Sequence, residues 1–200
     1  MIRQVHGVIP VVHTPFLENG DLDKESLDRQ LTWAFSQEID GVCTGMVSEL
    51  LRLTDEERTT LHQWIGEADR GDRSFVASVG AESTPQAVAY AQMAREAGAD
   101  AGMAIPPTSS ELTADELTDY YTQIIESGGL PLIVQDASGY VGNEIPLSVS
   151  TGLFDRFGSE LVMFKPEANP MGPRLSLLRD ATAGKARIFE GSGGISLMDS

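Results

Sequence analysis

Lys165 ends the run Leu161-Val162-Met163-Phe164-Lys165, and Pro166 follows it directly. Strand side chains alternate between faces, so Leu161, Met163 and Lys165 share one face if the run is a strand. An amine at the end of an apolar strand has two explanations. It can snorkel its charged head to water while the stem packs, or it can be held there for chemistry, because burying an unpaired charge is costly. Burial lowers a lysine's pKa from roughly 10.4, since desolvation disfavours the charged form. The neutral amine can attack a ketone carbon and form a Schiff base. From the run alone both explanations stand.

Other groups can carry protons near such an amine. Glu167 lies two residues beyond Lys165 and shares its face if the chain stays extended past Pro166. It could exchange protons, hold the lysine charged, or tie down a loop. His13 precedes Pro15 by two residues at the end of an apolar run, so it either lines a loop or points at a site. Glu49 precedes a helical pattern and is expected to hydrogen-bond backbone amides. Asp136 directly follows Gln135 and therefore faces the other way, which suits a structural role. His62 falls on a helical pattern and reads as surface or packing. Gly191-Ser192-Gly193-Gly194 is a small-residue loop, either a plain turn or a place where a ligand approaches backbone.

These residues must be positioned by a repeated unit. Short apolar runs begin near Gly7, Ile39, Phe75, Asp100, Leu130, Leu161 and Arg187, at intervals of about 25 to 36 residues. Helical patterns fill the gaps. Thr54-Asp55-Glu56-Glu57 and Thr113-Ala114-Asp115-Glu116 read as capping boxes, and Thr84-Pro85 as a cap with proline in the first helical position. Apolar residues recur at helical spacing in Leu27, Leu31, Phe35; in Leu61, Trp64, Ala68; and in Leu117, Tyr121, Ile124. Gly98 and Gly128 sit where left-handed helix ends favour glycine. Strands alternating with helices at this period predict parallel βα units.

Two architectures fit: an eight-fold (β/α)8 barrel (a TIM barrel) or an open doubly wound sheet. No Gly-x-Gly-x-x-Gly follows the first run, which weakens a dinucleotide site. Chemistry in such barrels gathers at the C-terminal strand ends, which is where Lys165 falls. About seven βα units are visible, and the sequence ends in what should be the seventh helix, at Met198-Asp199-Ser200. A closed barrel takes about 250 residues. The expectation is one domain over residues 1–200 that lacks the last strand, or else an open sheet.

Composition narrows the partners. The chain has 200 residues, is 41% hydrophobic and carries a net charge of −16, so it can bury one core and is ill suited to nucleic acid or anionic membranes. Cys43 is the only cysteine; it reads as core packing and fits a reducing cytoplasm. No signal-peptide pattern opens the sequence, and no apolar run is long enough to span a membrane. The three histidines lie far apart without metal-ligand spacing, so no metal site is expected.

These landmarks together resemble the dihydrodipicolinate synthase / N-acetylneuraminate lyase family of class I Schiff-base lyases. The resemblance rests on Gly7-Val8-Ile9-Pro10 with Thr14-Pro15-Phe16, Asn19-Gly20-Asp21-Leu22-Asp23, Gly45-Met46-Val47-Ser48-Glu49, Leu53-Thr54-Asp55-Glu56-Glu57-Arg58, Gly98-Ala99-Asp100-Ala101, Pro106-Pro107 and the lysine run. It stops before the family's last strand and C-terminal helical segment. It implies that Lys165 forms the Schiff base with a 2-oxo acid. The lysine itself supplies the electron sink, so no cofactor is implied. It also implies a homo-oligomer, a dimer or tetramer.

The departures from the family are as informative as the matches. The family loop Gly-Thr-Thr-Gly-Glu, which binds the substrate carboxylate, here reads Gly45-Met46-Val47-Ser48-Glu49. Ser48 and the backbone amides of Met46 and Val47 would then hold the carboxylate. The tyrosine over the Schiff base falls at Gln135, which can orient water or a substrate oxygen but cannot titrate. The arginine for the second substrate falls at Tyr140, and the paired tyrosines after Pro-Pro read Thr108-Ser109. The relay members are thus replaced by Val47, Gln135 and Ser109. Val134-Gln135-Asp136-Ala137 with Ser48-Glu49 is similar to the branch that dehydrates 2-keto-3-deoxy sugar acids.

The expected catalytic groups are Lys165, Gln135 and Glu167. Expected substrate contacts are Ser48, Val47, Met46, Gly191, Ser192, Tyr140 and His13. The reaction expected is dehydration of a 2-keto-3-deoxy sugar acid in the cytoplasm. The alternatives are a pyruvate-dependent aldolase, and an inactive barrel that binds 2-oxo acids; the retained Lys165 speaks against the inactive form.

Overall fold

The computed structural model describes residues 3–195. Its contacts separate the chain into two compact units, Met1–Ser78 with Ala91–Gly102 and Val79–Tyr90 with Met103–Ser200.

The first unit holds α1 (Lys24–Phe35), β1 (Gly41–Cys43), α2 (Asp55–Glu67), β2 (Ser74–Ser78), the end of α3 (Thr84–Glu96) and the start of β3 (Ala101–Ala104). β1 and β2 are parallel, with Val42 opposite Phe75, and the Asp100 N–H donates to Phe75 O at 2.8 Å to start β3 beside β2. Each helix begins on a side-chain cap. Asp23 accepts from the Ser26 N–H ahead of α1. Thr54 and Glu57 bond each other's backbone N–H groups ahead of α2, as the sequence predicts. Leu27, Leu31, Leu61, Ile65, Val42 and Phe75 are buried between helices and strands. Each such side chain contributes roughly 1.5–3 kcal/mol when fully buried.

The second unit holds the start of α3, the end of β3, α4 (Ala114–Gly128), β4 (Leu132–Asp136), α5 (Leu147–Leu161), β5 (Val162–Pro166) and α6 (Met171–Ala181). Val79 N–H donates to Met103 O at 2.7 Å. β4 and β5 are parallel and in register from Leu132↔Val162 to Asp136↔Pro166. Thr113 and Glu116 form the second expected capping box, ahead of α4. Tyr120 and Tyr121 on α4 are both buried, so they belong to the core. The Tyr120 hydroxyl accepts from the Ala81 N–H at 3.0 Å.

Four details differ from the sequence reading. The first and seventh apolar runs are not full strands. Val11 makes one parallel bridge to Cys43, and Ile188 one to Phe164. Among the described residues each pairs on one side only, and Pro10 has no N–H to give a ladder. Leu161 ends α5 rather than starting the lysine strand: Gly158 breaks the helix at φ 67, the chain makes one more turn, and extension begins at Val162. Ser83, not Thr84, caps α3, accepting from the Gln86 N–H, so Thr84 and Pro85 both lie inside the first turn. Gly129, not Gly128, takes the left-handed position after α4, at φ 73. The expected ending at Met198-Asp199-Ser200 lies outside the described residues.

His62 is the buried polar group with the clearest pH consequence. It is 2% exposed, edges the Phe75 ring, and its Nε2 lies 3.1 Å from Thr44 Oγ1. Burial, helped by the Arg58 cation, lowers its pKa to about 3. The unfolded chain therefore binds a proton below about pH 6.5 that the folded chain refuses. The stability from neutral His62 is complete above that pH and is lost as pH falls toward 3. Urea unfolding between pH 8 and pH 4 should show the folding equilibrium falling by about tenfold per pH unit below 6.5 from this group. In His62→Asn that component of the slope should vanish.

Candidate active site

In the second unit the register of β4 and β5 sets Gln135 opposite Lys165. The next alternate residue on the Lys165 face is Glu167. Its N–H donates to Asp136 O at 2.8 Å, so the extended ladder continues past Pro166, as the shared-face expectation requires. Glu167 Oε2 lies 2.9 Å from Lys165 Nζ. The same oxygen accepts from the Gln135 amide Nε2. One carboxylate oxygen thus fixes both an amine and an amide, in a place where Lys165 is 16% and Glu167 6% exposed. Charge-assisted bonds of this kind are the stronger ones.

Two glycines make room for Glu167. A Cβ on Gly191 would collide with the Glu167 side chain, and one on Gly139 with its carbonyl oxygen. This changes the expectation for the Gly191-Ser192 loop. What approaches that backbone is a glutamate of the chain itself. Glu190 occupies the loop's amides too, accepting from the Ser192 N–H at 2.7 Å and from the Gly194 N–H at 3.2 Å. Burial pushes the Glu190 carboxyl up, but these hydrogen bonds and the Lys165 charge outweigh it and hold it below the ordinary carboxylate range.

An open cleft of about 740 Å³ adjoins this cluster, lined among others by Tyr140, Glu167, Asn169, Ser176 and Ser192. Tyr140 is 65% exposed on its rim. Asp136 faces away, as expected, and accepts from the Ser138 and Ile145 N–H groups. Thr108 and Ser109 do not stand free. Their N–H groups and hydroxyls all donate to Glu82. Burial alone would raise the Glu82 pKa, but the Ser109 and Thr108 donors bring it down to about 2.

In the first unit the loop after β1 is a single 3-10 turn, Met46–Ser48. Ser48 is buried. Its hydroxyl donates to Val12 O and accepts from the Gly45 N–H at 3.1 Å, while Thr14 Oγ1 donates to Ser48 O at 2.6 Å. The hydroxyl expected to hold a substrate carboxylate is therefore committed to shaping the loop. Val47 is exposed and Met46 half-buried. His13 is exposed, with Nδ1 3.3 Å from Val47 O. Glu49 takes the left-handed conformation at φ 59 and pairs with Arg52 on the surface.

The structure brings Lys165, Gln135, Glu167, Gly191, Ser192 and Tyr140 together in the second unit, and His13, Met46, Val47 and Ser48 together in the first. Sequence reasoning missed Glu82 and Glu190. Glu190 had a signal, an acidic residue just before a glycine- and serine-rich loop; Glu82 had none. Among the described residues no group of three or more His, Cys, Asp or Glu could hold a metal ion. No helix there is long and apolar enough to cross a membrane.

Parallel βα units with a half-buried lysine at a strand end are the pattern of a lysine-centred barrel, in which chemistry gathers at the C-terminal strand ends. The model of the dihydrodipicolinate synthetase family matches residues 4–193, and the chain belongs to that family. It is similar to 4-hydroxy-tetrahydrodipicolinate synthase of Thiobacillus denitrificans, 32% identical over 69% of this chain and 47% of that protein. It is also similar to N-acetylneuraminate lyase of an Enterobacter species, 32% identical over 74% of this chain and 50% of that protein. The chain thus spans about half the length of these curated relatives.

The solved structures agree on the fold. A putative dihydrodipicolinate synthetase from Pseudomonas aeruginosa superposes with a TM-score of 0.90 at 23% identity, over 98% of this chain and 67% of that one. A dihydrodipicolinate synthase from Acinetobacter baumannii does so with a TM-score of 0.84 at 27% identity, over 96% and 64%. The fold is the α/β barrel of these enzymes, and the family's members are class I Schiff-base lyases.

Gly191→Ala should force the Glu167 side chain to move. The expected cost is about 1–3 kcal/mol of stability, read as a lower urea midpoint with an unchanged slope.

Proposed function

We propose that Lys165 forms a Schiff base with a 2-oxo acid, and that the reaction is dehydration of a 2-keto-3-deoxy sugar acid. The observation that carries the proposal is the Lys165–Glu167–Gln135 cluster, in which a buried carboxylate oxygen lies 2.9 Å from the amine. The family of the chain supports it, as does the 27% identical Acinetobacter baumannii synthase, solved with pyruvate bound.

In this reading the Lys165 amine attacks the C2 ketone and water leaves to give an iminium. The iminium draws electrons from C3, whose proton passes to Glu167. The C3–C4 double bond forms as the C4 hydroxyl departs, and the proton held by Glu167 completes a second water. Hydrolysis and tautomerisation free the product and the amine. Gln135 holds the carboxylate oxygen in line and excludes the tyrosine route, since an amide cannot titrate. Ser48, in the first unit, is committed to shaping its own loop and is given no part in these steps. Tyr140 belongs to the rim of the cleft beside Glu167. The same groups serve an aldolase if the base acts on the C4 hydroxyl, a second reading favoured by the 32% identity to N-acetylneuraminate lyase. A cytoplasmic homo-oligomer completes the proposal.

Incubation with pyruvate and borohydride, followed by peptide mass mapping, should place one reduced adduct on Lys165. Absence of an adduct with pyruvate and with 2-keto-3-deoxy sugar acids would sink the Schiff-base reading. Lys165→Ala should form none. Glu167→Gln should still be trapped, while turnover drops by about 10²-fold or more. A Glu167→Gln variant with unchanged kcat would remove Glu167 from the proton path.

A further inference from the structure

The cleft beside the lysine has a charge pattern that restricts what can fill it. Tyr140, Asn169, Ser176 and Ser192 present neutral polar groups, and among the described lining residues Glu167 is the one charged side chain. No lysine or arginine lines it there. Arg174 on α6 donates from Nε to the Asn169 carbonyl at 3.3 Å, but its charge is held by Glu144 in a bidentate pair and it lines a different pocket.

The balance at the lysine is negative as well. Lys165 pairs with Glu167, and its charge also acts on Glu190, so one cation faces two carboxylates. Any 2-oxo acid adds a third negative charge at C1. A substrate with a second carboxylate at its far end would add a fourth, in a cleft whose described lining includes no cation. The N-terminal turn of α6, which begins at Met171 beside the cleft, offers only the partial charge of a helix end. Pro173 in that turn contributes no N–H. This offsets less than the full charge of Glu167.

We infer that the cleft selects 2-oxo acids whose far end is uncharged and hydroxylated, and rejects those ending in a second carboxylate. In sugar terms it takes the acid with one carboxylate rather than the one oxidised at both ends. Hydroxyl groups match the lining, because Asn169, Ser176, Ser192 and Tyr140 can both donate and accept. The inference rests on the Schiff-base reading of Lys165 and adds to it the selecting surface.

The test compares two five-carbon acids that differ only at C5, 5-hydroxy-2-oxopentanoate and 2-oxoglutarate, with pyruvate as reference. Each is trapped on the full chain with borohydride, and the Lys165 adduct is quantified against concentration. The alcohol should reach half-maximal trapping at a concentration at least about tenfold below that of the diacid, as expected for one unscreened like-charge contact. Ser176→Lys places a cation in the cleft and should narrow or invert that ratio. Raising salt should narrow it too in the parent chain. Equal trapping of the two acids, with pyruvate labelling Lys165, overturns the selectivity alone, as does a ratio that Ser176→Lys leaves unchanged. If pyruvate leaves Lys165 unlabelled, the Schiff-base reading falls and the selectivity with it.

Discussion

The second unit is organised around one carboxylate oxygen. Glu167 Oε2 binds the Lys165 ammonium on its own strand and the Gln135 amide on the neighbouring one. The Gln135 contact requires the β4–β5 register in which Gln135 sits opposite Lys165. A slip of β5 by one residue would send Lys165 and Glu167 to the opposite face and leave Gln135 behind. The register is in turn held by apolar residues on the other face, with Val134 and Phe164 both buried. The chemistry thus depends on packing one layer away from it.

A buried carboxylate needs space as well as partners. Gly139 and Gly191 provide it by having no side chain where Glu167 lies. The loop after β4 and the loop after Ile188 are therefore constrained in sequence although neither has regular structure. In the first unit the same economy applies to the 3-10 turn. Ser48 donates to the Val12 carbonyl and accepts from the Gly45 N–H and, at its own carbonyl, from Thr14, so the turn's shape is set by its own hydrogen bonds.

Much of this was legible in the sequence. The two capping boxes bond as expected because threonine and glutamate three apart satisfy each other's backbone donors whatever lies beyond. Five strand positions follow from the βα period, and the Lys165–Glu167 relation follows from strand alternation. What was not legible depends on contacts between distant segments. Ser48 looked available for a ligand, since nothing local shows that Val12 O would take its proton. Gly191 looked like a loop residue, because its collision with Glu167 exists only after folding. Glu82, 26 residues from Thr108, carries no pattern at all. The end of α5 was displaced because Gly158 re-enters the helix for one more turn, a choice no propensity scale makes.

Glu190 gives the loop that follows it an unusual property. Two amides that could greet a visiting anion already hold one, and that anion is covalently attached to the same loop. A tethered group competes at an effective concentration in the millimolar range or higher, without ever diffusing away. A free carboxylate can win those amides only by turning Glu190 out toward solvent. The loop is in this sense permanently liganded by its own chain, and its conformation is preset rather than awaiting a substrate. The rigidity that other sites acquire on binding is here part of the resting fold.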